Sequence, residues 1–170
     1  MIAVLKGLII KPIKRFHDER GFFTEVMRSD WADLFGEDQV AQAKLSSTYP
    51  GVIRAWHRHL RGQNDYFLVL EGAIKICVYD EKTQELDEIV SSSLEFQAVK
   101  VPGHFWHGFK NIGNTPAKLL YFTTRLYDHA NPDEERRPWN DLEVIPKSIN
   151  GKKDDPRVGK PWDWDQPPNK

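Results

Sequence analysis

The stretch GVIRAWHRHLRGQNDYFLVLEG, residues 51–72, decides the fold and raises the question of function. His57 and His59 stand two residues apart in a run rich in β-branched and aromatic residues. Alternate residues of a strand share a face, so both histidines are expected on one face together with Ala55. The opposite face is expected to carry the intervening side chains, which are Arg54, Trp56 and Arg58.

Short apolar runs of this kind recur along the chain, with Gly, Pro and Asn between them. Many short strands separated by turn residues indicate an all-β sandwich or barrel. One short helix is predicted in SDWADLFGE, residues 29–37, with Ser29 or Asp30 as its cap and Gly36 as its end. From about residue 131 the chain is rich in Pro, Trp and charge. We therefore expect a single domain, residues 1–170, whose tail wraps over the barrel and is loose in its last few residues.

The bulk composition excludes several classes of protein. Lys+Arg (24) and Asp+Glu (25) nearly cancel to a net charge of -1, so no basic face for nucleic acid is expected. Cys77 has no partner for a disulfide and is expected inside a strand. The apolar start, residues 1–16, is interrupted by Lys6, Gly7 and Pro12 and is too short to span a membrane. It is predicted to form one or two strands, and the predicted location is the cytoplasm.

A third histidine follows in KVPGHFWHGFKN, residues 100–111, after a Pro-Gly turn. The combined spacing resembles the two motifs of the cupin fold, a double-stranded β-helix or jelly-roll barrel. The matching residues are Gly51, His57, His59, Gln63 or Asp65, Gly72, Pro102, Gly103, His107 and Asn111. In metal-binding cupins, three histidines and an acidic residue hold one divalent transition-metal ion.

Six segments, in order, resemble the dTDP-4-dehydrorhamnose 3,5-epimerase family, cupin enzymes that act on 4-keto sugar nucleotides. They are HDERGFFTEVMR (17–28), QAKLSST (42–48), GVIRAWH (51–57), VPGHFWHGF (101–109), LLYFTTRLY (119–127) and RPWNDLEV (137–144). The resemblance implies a homodimer that epimerises a 4-keto-6-deoxy sugar nucleotide without a cofactor. A base removes the proton next to the ketone, and an acid on the opposite face returns one.

The resemblance also implies a role for individual residues. His57 matches the base, Tyr121 matches the acid, and Asp154 (or its neighbour Asp155) matches the carboxylate that pairs with the base. His107 matches the second histidine of the pocket. Four further residues match positions that contact the nucleotide, and these are Arg20, Glu25, Gln42 and Arg54. Arg20 and Glu25 are expected to reach into the neighbouring subunit's site, and the guanidinium fork of Arg54 suits a diphosphate.

Three departures from the family fall in the pocket. Asp65 stands where the family has a lysine that stabilises the enolate oxygen. Two like charges 4 Å apart repel by about 4 kcal/mol at an effective dielectric constant of about 20, so a carboxylate there opposes the enolate. His59 replaces a glutamine and Lys44 an asparagine, and both are expected to face the substrate. Lys44 or a protonated His59 would then supply the missing positive charge.

Three alternatives to this mechanism stay open. In the first, Asp65 or Gln63 joins His57, His59 and His107 around one divalent transition-metal ion. In the second, the protein is a sugar-binding cupin without activity. In the third, the R-x-x-H-x-H run at residues 54–59 indicates a sugar-nucleotide 3,4-ketoisomerase, which moves a proton between adjacent carbons.

Overall fold

The structure, a computed structural model, describes residues 4–165, within which the chain forms thirteen strands and one short helix. The strands are β1 (Ile9–Pro12), β2 (Phe16–Asp18), β3 (Gly21–Phe23), β4 (Gln42–Thr48), β5 (Ile53–Arg58), β6 (Asn64–Glu71), β7 (Ala73–Asp80), β8 (Glu85–Ser92), β9 (Gln97–Pro102), β10 (Trp106–Asn111), β11 (Ala117–Thr123), β12 (Glu135–Arg136) and β13 (Ser148–Ile149). The helix, α1, is Ala32–Phe35. The predicted all-β architecture with one short helix is confirmed.

Two large sheets form the barrel. The first has the order β1-β9-β6-β11-β4 and the second the order β12-β5-β10-β7-β8-β13, while β2 and β3 form a separate hairpin. Neighbouring strands run antiparallel except β13, which pairs with β8 in parallel. The start of the chain contributes the strand β1, whereas residues 1–3 and the end that was expected to be loose, 166–170, lie outside the described residues. No helix within residues 4–165 is long and apolar enough to cross a membrane.

The main core lies between the two sheets. Alternate side chains of β7 point into it, namely Ile74, Ile76 and Val78, each 0% exposed. Phe67 of β6 and Leu119 of β11 meet them from the first sheet. Each fully buried aliphatic side chain contributes roughly 1.5–3 kcal/mol, so this layer holds the two sheets together.

The outer face of each sheet is covered as well. The helix packs Leu34 and Phe35 on the outside of the first sheet. The tail packs Trp162 and Trp164 on the outside of the second sheet, where Cys77 is buried as predicted. Because both faces of the central strands are covered, β6 and β7 consist of nearly continuous apolar runs.

The helix differs from the sequence expectation at its start. Trp31 occupies the N-cap position, and no side chain caps the helix there. The predicted cap at Ser29 or Asp30 is wrong, because the Asp30 carboxylate accepts hydrogen bonds from the Arg28 guanidinium at 2.8 and 2.6 Å instead. Gly36 ends the helix as predicted, with a φ of 58° that favours glycine.

Candidate active site

A bulge in β5 sets the direction of its side chains. His57 pairs with His107 of β10, but the next pair joins Arg54 to Phe109, so two residues of β5 oppose Gly108 alone. Arg54 and His57 therefore share the inner face, and the prediction that they lie on opposite faces is wrong. A Cβ at Gly108 would lie 2.7 Å from both the Ala55 Cα and the Arg54 carbonyl oxygen, so only glycine fits opposite the bulge.

The three histidines converge at one end of the barrel. The His57 and His107 rings lie with their centroids 4.2 Å apart, and those of His57 and His59 are 5.7 Å apart. The backbone N–H of His59 donates to the Gly103 carbonyl at 2.6 Å, which ties the end of β5 to the Pro-Gly turn. His107 is fully buried, and His59 is 4% exposed.

Asp65 of β6 lies among these imidazoles. Its Oδ2 is 3.4 Å from Nε2 of His59 and 3.4 Å from Nε2 of His107. The Gln63 amide donates to Asp65 Oδ1 at 2.7 Å and lies 3.0 Å from His59 Nε2. Ligand atoms of His57, His59, Asp65 and His107 all lie within 4.8 Å of one another, so Asp65 belongs to the histidine cluster.

The surroundings of these groups set their charges. Burial opposes ionisation of Asp65, but the imidazoles of His107 and His59 hold the pKa of this carboxyl well below its usual range. Burial, and then the neighbouring His107, lower the pKa of His57 well below its ordinary value, so this ring is neutral. Burial also lowers the pKa of His59, but the Asp65 carboxylate, the Asp133 carbonyl and Glu134 together outweigh burial and raise that pKa. The site therefore favours positive charge beside Asp65 and not at His57.

Tyr121 and Lys44 form the wall that faces the histidines. They are paired across β11 and β4, in the first sheet, whereas His57 belongs to the second. The Tyr121 ring lies 6.0 Å from that of Phe67, and the Lys44 ammonium lies 5.6 Å from the Tyr121 centroid. Burial, and then the Asp65 carboxylate, raise the pKa of Tyr121, so the hydroxyl keeps its proton at neutral pH.

A pocket of about 460 Å³ lies between these walls, a size typical of small-molecule sites. Seven of the residues selected from the sequence line it, and these are Lys44, Arg54, His57, His59, Gln63, Asp65 and Tyr121. The tail adds Glu134, Arg136 and Arg137, which sequence reasoning missed. The tail reaches the pocket because β12 pairs with β5, a contact across about 80 residues that no local pattern indicates.

Asp154 does not lie in the pocket, and its predicted pairing with His57 is wrong. It is exposed and follows β13, which lies four strands from β5 in the second sheet, roughly 19 Å at normal strand spacing. The neighbouring Asp155 is bound to Arg157 at 2.9 Å, so it is not the partner either. In the described part of the chain, Asp65 is the carboxylate that stands among the histidines.

Four further predicted residues lie outside this chain's own pocket lining, and the first of them, His107, is fully buried beside His57. Arg20 is on the β2–β3 hairpin, 84% exposed and paired with Asp18 at 2.6 Å. Glu25 is paired with Arg28 at 2.7 Å. Gln42, on the same strand as Lys44, accepts a hydrogen bond from the Tyr127 N–H at 3.0 Å. That Arg20 and Glu25 reach a neighbouring subunit's site stays a prediction.

Comparison with known proteins gives the family. The family described as "Polysaccharide biosynthesis C-terminal domain" matches residues 16–135, which is 120 of the 170 residues. A probable low-salt glycan biosynthesis epimerase of Haloferax volcanii is 46% identical over 128 residues, covering 72% of this chain and 81% of that protein. A spore coat polysaccharide biosynthesis protein of Bacillus subtilis is 34% identical over 143 residues, covering 81% of this chain and 92% of that protein.

Solved structures give the fold. A dTDP-6-deoxy-D-glucose-3,5-epimerase of Legionella pneumophila, in complex with dTDP-4-keto-L-rhamnose, superposes with a TM-score of 0.75 at 24% identity, covering 84% of this chain and 78% of that one. A 4-keto-6-deoxy sugar epimerase of Streptomyces spheroides gives a TM-score of 0.75 at 25% identity, covering 95% and 80%. The predicted cupin jelly-roll is thereby confirmed. The chain belongs to the polysaccharide biosynthesis C-terminal domain family, among the sugar-nucleotide epimerases of the cupin fold, and is an enzyme of the isomerase class.

Proposed function

We propose that this enzyme epimerises a 4-keto-6-deoxy sugar nucleotide, with His57 as the base and Tyr121 as the acid. The observation that carries the proposal is their placement on opposite walls of one pocket, since His57 belongs to the second sheet and Tyr121 to the first. Stacked sheets lie about 10 Å apart, which leaves room for a sugar ring between the two side chains. Inversion of a carbon requires a proton acceptor and a proton donor on opposite faces of that ring.

The steps follow from this placement. His57 takes the proton on the carbon next to the ketone, and the electron pair of the C–H bond moves into an enolate. The Tyr121 hydroxyl then donates a proton to the other face of that carbon, and its oxygen recovers a proton from water. His57 returns its own proton to solvent, so the reaction consumes no oxidant or reductant. The product is the epimer at that carbon.

The mouth of the pocket suits the nucleotide part of such a substrate. Arg54 and Arg136 line it, and a guanidinium makes paired, charge-assisted hydrogen bonds with phosphate oxygens. The Arg54 Nε donates to Thr48 Oγ1 at 3.2 Å, which holds its side chain along the pocket wall. The Legionella relative was solved with a dTDP-linked 4-keto sugar, which supports this substrate class. The homodimer and the cytoplasmic location belong to the same proposal.

The test is uptake of solvent deuterium into dTDP- and UDP-linked 4-keto-6-deoxy sugars, followed by NMR. We expect the wild type to exchange the proton next to the ketone and to form an epimer. His57→Ala should slow exchange by about 10²–10⁴-fold, because it removes the base. Tyr121→Phe should form no epimer but should still exchange from the His57 face. His104→Ala, an exposed histidine that does not line the pocket, is the control.

Three outcomes would contradict the proposal. Exchange in His57→Ala at the wild-type rate would remove His57 from the chemistry. Tight nucleotide binding by the wild type without exchange of any 4-keto sugar tested would favour a binding protein. Transfer of deuterium between the two carbons that carry the ketone and its neighbouring hydroxyl would favour the 3,4-ketoisomerase reaction.

A further inference from the structure

We propose that His59, His107 and Asp65 bind one divalent transition-metal ion at the floor of the pocket, leaving His57 free. The first reason is the spacing of their atoms. Asp65 Oδ2 lies 3.4 Å from each histidine Nε2, which is longer than an ordinary N–H···O hydrogen bond of about 2.7–3.2 Å. Two ligands of a tetrahedral ion with bonds of about 2.1 Å are about 3.4 Å apart. The gaps therefore fit an ion better than direct hydrogen bonds.

The second reason is the direction of the histidine protons. His59 Nδ1 lies 2.6 Å from the Asp133 carbonyl oxygen, and His107 Nδ1 lies 2.9 Å from the Phe105 carbonyl oxygen. A carbonyl only accepts, so each Nδ1 carries a proton and donates it. In the neutral rings both Nε2 atoms therefore carry lone pairs; that of His107 faces Asp65, and that of His59 faces Asp65 and also the Gln63 amide nitrogen at 3.0 Å. Hydrogen bonding of the remote nitrogen to a backbone carbonyl is how metal-binding histidines are usually oriented.

The third reason is a buried polar atom without a partner. His107 is 0% exposed, and its Nε2 makes no hydrogen bond with the described residues. Nor does any lysine or arginine nitrogen among residues 4–165 lie within 4.0 Å of the Asp65 carboxylate. Burying an ionised group without a counter-charge is strongly unfavourable. A cation between them would compensate the Asp65 carboxylate, give His107 Nε2 a partner and take the place of the Gln63 amide at His59 Nε2.

Gln63 and His57 are not part of this ligand set. The Gln63 amide nitrogen donates to Asp65 Oδ1, and a donating –NH₂ group does not bind a metal, so Gln63 holds the carboxylate in place. His57 is half-buried and has no nitrogen within 4.0 Å of Asp65, whereas the other three groups are buried. The set of two imidazoles and one carboxylate suits Zn²⁺, Fe²⁺, Co²⁺ or Ni²⁺, with open positions towards the pocket.

Such an ion would deepen the proposed function, on which this part of the inference rests. The lysine that stabilises the enolate in the resembling family is replaced here by Asp65. An ion bound to Asp65 would restore positive charge on the same side of the pocket and stabilise the developing enolate as a Lewis acid. Replacement of the lysine by an aspartate then changes the source of the positive charge without removing it.

The first experiment measures binding alone. Untagged protein is stripped with a chelator and titrated with Co²⁺ and Zn²⁺, using calorimetry and the visible spectrum of bound Co²⁺. We expect about one ion per chain and the intense bands of low-coordinate Co²⁺. His107→Ala and Asp65→Asn should lower affinity at least tenfold, by analogy with the 10–100-fold losses seen when supporting residues are changed. His104→Ala and His57→Ala should retain the ion.

Each result decides the matter. If stripped wild-type protein binds neither ion below 100 µM of added metal, a proton is the cation beside Asp65 and the inference fails; this test needs no variant and so does not depend on folding. Equal affinity in His107→Ala also overturns it, as does loss of the ion in His57→Ala, which would place His57 among the ligands. Epimerisation that continues at the wild-type rate in fully stripped protein refutes the role of the ion in the reaction but neither its binding nor the epimerase. An ion held without any exchange of 4-keto sugars refutes the epimerase but not the metal.

Discussion

The Gly108→Ala variant tests how the bulge in β5 places the active site. The added Cβ would lie 2.7 Å from the Ala55 Cα and from the Arg54 carbonyl oxygen. Carbon atoms in contact normally lie about 3.5 Å apart, so the backbone of β5 would have to retreat by about 0.8 Å. Arg54 and His57 flank the bulged residues in the sequence and would move with that backbone. Overpacking of this kind typically lowers the free energy of unfolding by about 1–3 kcal/mol. Because the new Cβ meets backbone atoms, we expect a loss near the upper end of that range.

The assays are thermal unfolding and deuterium exchange. A loss of about 3 kcal/mol corresponds to a Tm roughly 6–12 °C lower in a protein of this size. A displacement near 1 Å in the base lowers the exchange rate by about 100-fold. The control is Gly113→Ala, where the nearest atom would be 3.4 Å from the new Cβ, and a change within about 1 kcal/mol is expected.

A second substitution separates side-chain from backbone crowding. The new Cβ would also meet the Ala55 Cβ, and Ala55→Gly removes that atom. The double variant should therefore recover part of the stability, while the two backbone contacts keep it below the wild type. If Gly108→Ala and Gly113→Ala unfold at the same temperature and exchange deuterium equally fast, the bulge does not position His57 and the reasoning is refuted.

Three other predictions concern charge and packing. Lys44→Met should lower the deuterium exchange rate at saturating substrate by less than about tenfold if the positive charge beside Asp65 stabilises the enolate. A loss near 100-fold would assign stabilisation of the enolate to Lys44. Burial raises the pKa of the Asp38 carboxyl, but its bonds to Lys100 at 2.8 Å and to Tyr66 outweigh burial and hold that pKa below the value in the unfolded chain. The Asp38 carboxylate therefore stabilises the fold at a pH above the unfolded pKa. Asp38→Asn should lose about 2 kcal/mol at pH 7 in urea unfolding, and the difference should shrink as the pH falls from 5 to 3. Trp164→Ala should cost about 3–5 kcal/mol in the same assay, because this ring is 2% exposed in the outer layer of the second sheet; less than 1 kcal/mol would show that the tail adds little.

The sequence predicted the barrel because apolar alternation in strands is a local pattern. Segments such as residues 73–80 carry it clearly, and Cys77 was placed inside a strand on that basis alone. The same reasoning failed in β5, where one extra residue reverses the alternation between Arg54 and His57. A bulge depends on the facing strand, here on Gly108, and the run 53–58 contains no sign of it.

The same distinction between local patterns and long-range contacts applies to the residues of the candidate site. The histidines and Asp65 were selected because they lie within or next to strands whose neighbours the cupin spacing implies. Asp154 was selected from the resemblance, but its position depends on how the tail crosses the second sheet, and β13 takes it to the far edge. Arg136 was missed for the reverse reason, since the pairing of β12 with β5 brings it to the pocket from a charged run.

Asp133 links the pocket's entrance to its interior. Its carboxylate accepts from the backbone N–H groups of Leu60 and Arg61, at 3.0 Å each, and its carbonyl accepts from His59 Nδ1 at 2.6 Å. The segment that borders the opening thus also decides which nitrogen of His59 bears the proton. Any substrate that displaces this segment on entry would release that nitrogen and change what Nε2 offers to Asp65. If substrate entry displaces this segment, entry and the protonation of His59 are thermodynamically linked through one peptide carbonyl.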